Sequence, residues 1–435
     1  MLPYTPMLRR NFFKTTAIGG IALGLSEGWL TSKASAAVKP IDPGDKGPEA
    51  LARDEAFWQR VRRDFAPAPD FINLEYGYFC PAALPTLEEE IRGGRLINSR
   101  GSYYMRREMQ DDLEATRNDL AKLAGVSSEE VAITRNTTES MNIVISGLDL
   151  QAGDEVVYSD QDYGSMVEAL KQKSERYGIV LKQVAVPLHP ESDEQIVDVF
   201  RRAITPKTKL LHVTHLINLT GHVLPVRKIC DMAHERGVEV LVDSAHAFAH
   251  VDYQIPDLDC DYLGTSLHKW LCSPVGLGML YVKKEKIPQV WGLMGDTHRD
   301  DGDIRKLEHL GTRPYNHHRG LRTAIRYHQS IGGAAKAARL RYLNTYWTQG
   351  FRNHERIYFN TPEDPARHGA IANVAIRGVE PEALSAFLYD NYDILTVPIV
   401  GHPVVKGVRV TPGVPTPLLH LDLMKEAMEQ AARKL

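Results

Sequence analysis

An acid and a lysine define the chemistry this chain can do. Asp243 closes the apolar run Val240-Leu-Val-Asp243 and is followed by Ser244-Ala-His246. Lys269 lies in Ser266-Leu-His268-Lys-Trp270, at the end of the next strand-like segment, which begins at Asp261. A lysine amine attacks an aldehyde only when unprotonated, and partial burial beside a cationic ring lowers its pKa toward that state. A carboxylate at a strand end can keep a pyridinium nitrogen protonated, which turns the ring into an electron sink. Hydroxyls and backbone N–H groups at a helix start can hold a phosphate. Pyridoxal 5'-phosphate is the cofactor that needs these parts together. Each residue also has a plainer reading: Asp243 as a turn cap, Lys269 as a surface lysine, Thr137-Thr138 as a helix cap. His246 and His250 have the spacing of a zinc pair, with Asp243 as a third ligand. The cofactor reading already uses Asp243 and His246, so no metal is expected.

The elements that must position these residues alternate along the chain. Val131–Thr134, Glu155–Tyr158, Leu210–Thr214, Val238–Val242 and Gly278–Val282 read as buried strands. Gly164–Tyr177 and Val226–Arg236 read as helices, the second ended by Gly237. Alternating strand and helix predicts an α/β protein with a mostly parallel sheet covered on both faces. Ligands in such sheets bind beyond the carboxyl ends of the strands, where Asp243 and Lys269 fall. Leu321 to Thr348 reads as helical, followed by a strand over Ile371–Ile376 and helices over Pro381–Tyr389 and from Leu418, a smaller α+β domain.

Composition narrows the class. The chain has 435 residues, 43% hydrophobic and 25% charged, with a formal net charge of −3. That excludes a disordered or collagen-like chain and gives no reason to expect a nucleic-acid partner. Four scattered cysteines, Cys80, Cys230, Cys260 and Cys272, form neither a disulfide framework nor a zinc ribbon, and Cys272 reads as a buried free thiol. The signatures GxGxxG, GxxxxGK[ST], GxSxG and HExxH are absent. No run approaches the roughly 18 apolar residues of a spanning helix, so no membrane anchor is expected.

The first residues read as an address. Arg9-Arg-Asn-Phe-Phe-Lys14 precedes a mildly apolar run, Ala17 to Leu25, and the small-residue stretch Ala34-Ser-Ala-Ala37. A basic start, a short hydrophobic middle and an A-x-A site describe an export signal, and the paired arginines resemble a twin-arginine signal. The plainer alternative is a frayed amphipathic N-terminus. The twin-arginine machinery carries folded proteins, which predicts a chain folded around its cofactor and working in the periplasm. Pro40 to Pro48 reads as a flexible linker.

With these residues in place the sequence resembles a known family, the fold-type I pyridoxal-phosphate enzymes of aminotransferase class V, and within it the isopenicillin N epimerase-like branch. The resemblance runs from about Phe71 to Thr411 and is densest from His215 to Val282. It implies a large domain over 71–325 with a mostly parallel seven-stranded sheet and a smaller C-terminal α+β domain over 326–435. Residues 1–37 are then the signal and 38–70 a linker and N-terminal segment. Lys269 matches the Schiff-base lysine and Asp243 the acid on the pyridinium nitrogen. His246 and Asn218 match residues beside the ring oxygen. Thr137, Thr138, Ser266 and His268 match phosphate contacts, and Tyr163 an aromatic ring over the cofactor face. Gly311-Thr312 matches a loop that reaches the phosphate from a neighbouring subunit, which implies a homodimer. Arg409 matches the arginine that grips a substrate α-carboxylate, a task suited to a guanidinium fork; it could also pair with a local carboxylate.

After the substrate amine displaces it, Lys269 is the natural base for the Cα proton. Transamination, racemisation, elimination and decarboxylation all remain open. Cysteine desulfurases of the class carry a nucleophilic cysteine in the loop before the carboxylate-binding arginine; here Thr396 to Val408 contains none. The sequence is also similar to exported enzymes of pyoverdine maturation, which remodel the glutamyl residue of a siderophore precursor by transamination or oxidative decarboxylation. That makes a small-molecule or peptide amine the expected partner. An epimerase, lyase or aminotransferase on another amine, a ligand-binding protein without turnover, and a metal-dependent hydrolase using Asp243, His246 and His250 are the alternatives. Arg100 to Arg107, with Tyr103 and Tyr104, reads either as a solvated loop or as the lining of the substrate entrance.

Overall fold

Buried β-branched runs become the strands that carry the site. The computed structural model describes residue 38 and residues 41–435. The export signal expected within residues 1–37 lies outside the described residues. In chain order the strands are β1 (Ile72–Asn73), β2 (Val131–Thr134), β3 (Glu155–Ser159), β4 (Val180–Val184), β5 (Thr208–Thr214), β6 (Glu239–Asp243), β7 (Tyr262–Ser266), β8 (Gly278–Val282), β9 (Ile357–Phe359), β10 (Ala372–Ile376), β11 (Ile394–Leu395), β12 (Val397–Ile399) and β13 (Gly407–Val410).

Seven of them form one sheet in the order β2-β8-β7-β6-β5-β3-β4, parallel except for β8, which runs antiparallel to both neighbours. Successive residues of its strands feed opposite cores. Leu211, Val213, Val240, Val242 and Leu263 pack on one face; Leu210, Leu241, Tyr262 and Leu280 pack on the other. Burial on both faces explains why these strands read as continuous apolar runs, each aliphatic side chain contributing roughly 1.5–3 kcal/mol. A second sheet, β12-β13-β10-β9, is antiparallel, and β1 pairs with β11. The helices Gly333–Thr348 and Leu418–Lys434 cover the second sheet through Leu343, Trp347, Met424 and Met428.

Local readings differ from the structure at four places. The helical segment from Leu321 to Thr348 is two helices, Asn316–Ile331 and Gly333–Thr348, broken at Gly332, whose φ of +89° no ordinary helical residue adopts. β4 has no counterpart in the sequence reading because it is an edge strand whose side chains are mostly half-buried or exposed. Residues 102–107 form a short helix rather than a loop. There Tyr104 is buried, its hydroxyl donating to Asp112 at 3.0 Å, while Arg100 lies over the exposed Tyr103 ring. The stretch read as a flexible linker is partly held: Val38 and Ile41 pack against the cluster containing Trp58, and a helix begins at Pro48.

Gly221 ties the main sheet to the second one. It sits at φ +77°, and a Cβ there would stand 2.0 Å from the Ile371 carbonyl oxygen. Gly221→Ala is expected to cost at least about 2 kcal/mol, read as a lower denaturant midpoint at unchanged slope. A parental midpoint would show that this approach of two backbones is slack.

Candidate active site

The carboxyl ends of β5, β6 and β7 lie side by side, Thr214 pairing with Asp243 and Asp243 with Gly264 in register. Asp243 is buried, and its Oδ1 accepts from the Ala245 N–H at 2.9 Å. Its Oδ2 meets no protein donor among the described residues. Burial pushes the carboxyl pKa up; the imidazole of His212, the Ala245 N–H and Lys269 pull it back. His212 is itself held by a carboxylate, Nδ1 lying 2.9 Å from Asp162 Oδ2, and Asp162 also accepts from the Thr214 hydroxyl at 2.7 Å and the Ser159 N–H at 2.8 Å. The Asp162–His212 pair went unassigned in the sequence. Its only signal there was the pattern His212-Val-Thr214 ending a strand, with an acid three residues after another strand.

Lys269 stands over this floor. Its Nζ lies 2.9 Å from His246 Nε2, and His246 Nδ1 accepts from the Trp270 indole N–H at 3.4 Å. A neutral imidazole that accepts at Nδ1 carries its proton on Nε2, so His246 donates to the lysine, and only an unprotonated amine can accept that bond. The electrostatics agree. Desolvation, with Lys269 and Arg409 nearby, drives the His246 pKa well below its usual value. Desolvation brings Lys269 down to about 8, Asp243 opposing and Arg409 assisting.

Beside them is a cradle for an anion. The Thr137 N–H donates to Ser266 Oγ at 2.9 Å, and the two hydroxyls are 2.7 Å apart, joining the end of β7 to the start of the helix Thr137–Gly147. Asn136 caps that helix through the Glu139 N–H. Thr138 brings a hydroxyl and a backbone N–H that the helix does not use. Packing is close: a Cβ on Gly278 would meet the Asn136 backbone at 2.7 Å. Asn218 Oδ1 and His268 Nδ1 are buried with no partner, an arrangement that costs roughly 1–3 kcal/mol per group unless a ligand supplies the bond. The half-buried amine, the one-sided Asp243 and these two orphaned atoms together fit pyridoxal phosphate.

Other residues singled out by sequence are hydrogen-bonded to neither the Asp243 carboxylate nor the Lys269 amine among the described residues. Tyr163 starts the helix Gly164–Tyr177, is 45% exposed, and stacks on no ring among the described residues. Thr312 lies on an exposed turn whose left-handed residue is Gly311. Arg409 is buried against Glu75, the local carboxylate that was its alternative partner. Both ring nitrogens of His250 are engaged, by the His246 carbonyl at 2.8 Å and the Ala370 N–H at 2.7 Å. No cluster of three or more His, Cys, Asp or Glu among the described residues is disposed to hold a metal. Cys272 is a buried free thiol, its pKa drawn down to about 7 by the Cys80 thiol and Lys336. The loop before Arg409 is fixed by His402, whose Nε2 donates to the Asp160 carbonyl at 3.0 Å.

A lysine brought to about 8 is half unprotonated at that pH and increasingly neutral above it. On cofactor-free protein, a small acylating reagent is expected to label Lys269 with a midpoint near pH 8, while exposed lysines respond near their usual value of about 10.4. A midpoint for Lys269 near that of the exposed lysines would contradict the geometry.

Comparison with known proteins places the chain in a family. The family model for aminotransferase class-V matches residues 80–415. Isopenicillin N epimerase from Amycolatopsis lactamdurans is 27% identical over 398 residues, covering 86% of this chain and 99% of that protein. A cysteine desulfurase from Haloferax volcanii is 29% identical over 307 residues, 66% of this chain and 70% of its own length. The apo cysteine desulfurase of Thermococcus onnurineus superposes with a TM-score of 0.77 at 22% identity, over 87% of this chain and 98% of that one, which shows the shared fold. A family match over most of the chain, together with a half-buried lysine of lowered pKa, makes the protein a pyridoxal-phosphate-dependent enzyme: it belongs to aminotransferase class V.

Proposed function

We propose that this class-V enzyme is exported in its folded state to the periplasm, where it modifies the amino-acid moiety of a small molecule or peptide. The leading substrate is the glutamyl residue of a pyoverdine-type siderophore precursor, and the reaction is transamination or oxidative decarboxylation. One observation carries the catalytic part: a half-buried lysine amine that desolvation brings down to about 8, with His246 Nε2 at 2.9 Å from it.

Bound pyridoxal phosphate supplies an electron sink for negative charge on the substrate carbon next to nitrogen. In this reading Asp243 would hold the ring nitrogen, Asn218 and His246 the ring oxygen, and Thr137, Thr138, Ser266 and His268 the phosphate, with Tyr163 over the ring face. Lys269 Nζ would take the proton from the substrate carbon and return one, while His212, held by Asp162, favours the ionised form of Asp243. The chain works as a homodimer, Thr312 reaching across from a second copy. In support, Trp291 is 75% exposed and lines, with Arg135 and Thr138, an open cleft of about 710 Å³ at the start of the phosphate-side helix.

The absence of cysteine between Thr396 and Val408 speaks against sulfur extraction through an enzyme persulfide. The epimerase relatives favour one rival, inversion at Cα of another amine. A strain lacking the gene is expected to accumulate siderophore precursor with its glutamyl side chain unchanged, and purified enzyme to convert that precursor to a product of altered mass. A normal siderophore profile removes this substrate. A product of unchanged mass in ordinary water that gains one deuterium at Cα when the reaction is run in heavy water identifies an epimerase instead.

A further inference from the structure

Arg409 does not stand free in the pocket. Its Nε and Nη2 both donate to the Glu75 carboxylate, side-on, and Nη1 donates to the Asn218 carbonyl at 3.4 Å. Glu75 is fixed in turn: Oε1 accepts from the Tyr78 N–H at 3.1 Å and Oε2 from the Thr411 hydroxyl at 3.1 Å. The two side chains come from segments bridged in parallel at Glu75 and Thr411, and both are buried. Gly77 closes over the guanidinium, since a Cβ there would lie 3.4 Å from Arg409 Cζ. The arginine is still close enough to Lys269 and His246 to depress both of their pKa values. A guanidinium has five N–H donors, and here three are spoken for, two of them by a full negative charge.

We propose that Glu75 is a specificity-determining residue that neutralises the subsite at Arg409. The subsite then binds an α-amine whose neighbouring carboxyl is amidated about as tightly as one with a free α-carboxylate. Its substrate is held chiefly through contacts other than an ion pair to Arg409, as suits an amino-acid moiety carried on a larger molecule. The inference rests on Arg409 lining the substrate pocket. A carboxylate arriving at the remaining end-on edge of the guanidinium meets a pair of zero net charge, with a second carboxylate on its far side. The Coulomb gain that a lone buried arginine would give is largely cancelled.

The test compares binding of L-glutamate with that of its α-amide, L-isoglutamine, to the holoenzyme by calorimetry and by the change in cofactor absorbance. In the parent, the preference for carboxylate over amide is expected to stay within about threefold, and Glu75→Gln should raise it at least about tenfold. Glu75→Asp, which keeps the charge, should resemble the parent. If Glu75→Gln fails to fold, the double variant Glu75→Gln/Arg409→Gln removes both charges and should keep the parental ratio within about threefold. An unchanged ratio in a folded Glu75→Gln enzyme overturns the proposal. So does a parental preference for glutamate above about a hundredfold, or a tenfold or greater loss of that preference in the double variant. The two probes report the charge at Arg409 whatever the natural substrate is, so failure on the siderophore precursor and failure here are separate outcomes.

Discussion

A lysine amine held out of water, with no carboxylate in contact, is the constraint around which the rest of the pocket is arranged. Left to itself the Lys269 ammonium would recruit a counter-ion, and Asp243 is the obvious one. Asp243 is kept from it: its Oδ1 is tied to the Ala245 N–H and it sits at the end of the neighbouring strand, acting on Lys269 through space rather than by contact. His246 fills the place a carboxylate would take, and it does so as a donor because the Trp270 indole occupies its other nitrogen. Removing that indole would free His246 to change tautomer and accept from an ammonium instead, so Trp270 is a positioning residue for the amine's charge state.

Charges around this amine come in compensated sets. Asp162 faces His212, which in turn weighs on Asp243; Glu75 faces Arg409, which weighs on Lys269. Burying a lone ion would cost far more than a paired one, so His212 and Arg409 each carry a carboxylate partner. The parallel sheet makes this possible. Register places Thr214, Asp243 and Gly264 side by side at the strand ends, and glycine at 264 and 278 lets the helix Thr137–Gly147 press its start against them.

Much of this was legible along the chain. Buried strands announced themselves because both faces of the sheet are covered, so their residues are apolar without interruption, and polar residues that end such runs, Asp243 and Ser266, stood out. The edge strand β4 did not, because its side chains are not driven inward. Gly332 looked like one more residue in an Ala-rich helix, although its positive φ splits that helix in two. Pairings such as Glu75 with Arg409 or Asp162 with His212 join residues far apart in the chain, and no local pattern marks them. Arg409 was therefore read with its possible partner unnamed. Tyr163 and Thr312 were named from resemblance alone. Nothing among the described residues engages their side chains beside Asp243 or Lys269, and the tasks proposed for them call for a cofactor and a second copy.

The account rests on pyridoxal phosphate bound through Lys269 with its ring balanced by Asp243. The most direct measurement is the visible absorbance of the purified protein before and after borohydride, followed by peptide mapping. A visible band that reduction abolishes, with the mass of the reduced cofactor fixed on the peptide carrying Lys269, is the result the account predicts. A protein still colourless after reconstitution, or a cofactor fixed on any other residue, would contradict it.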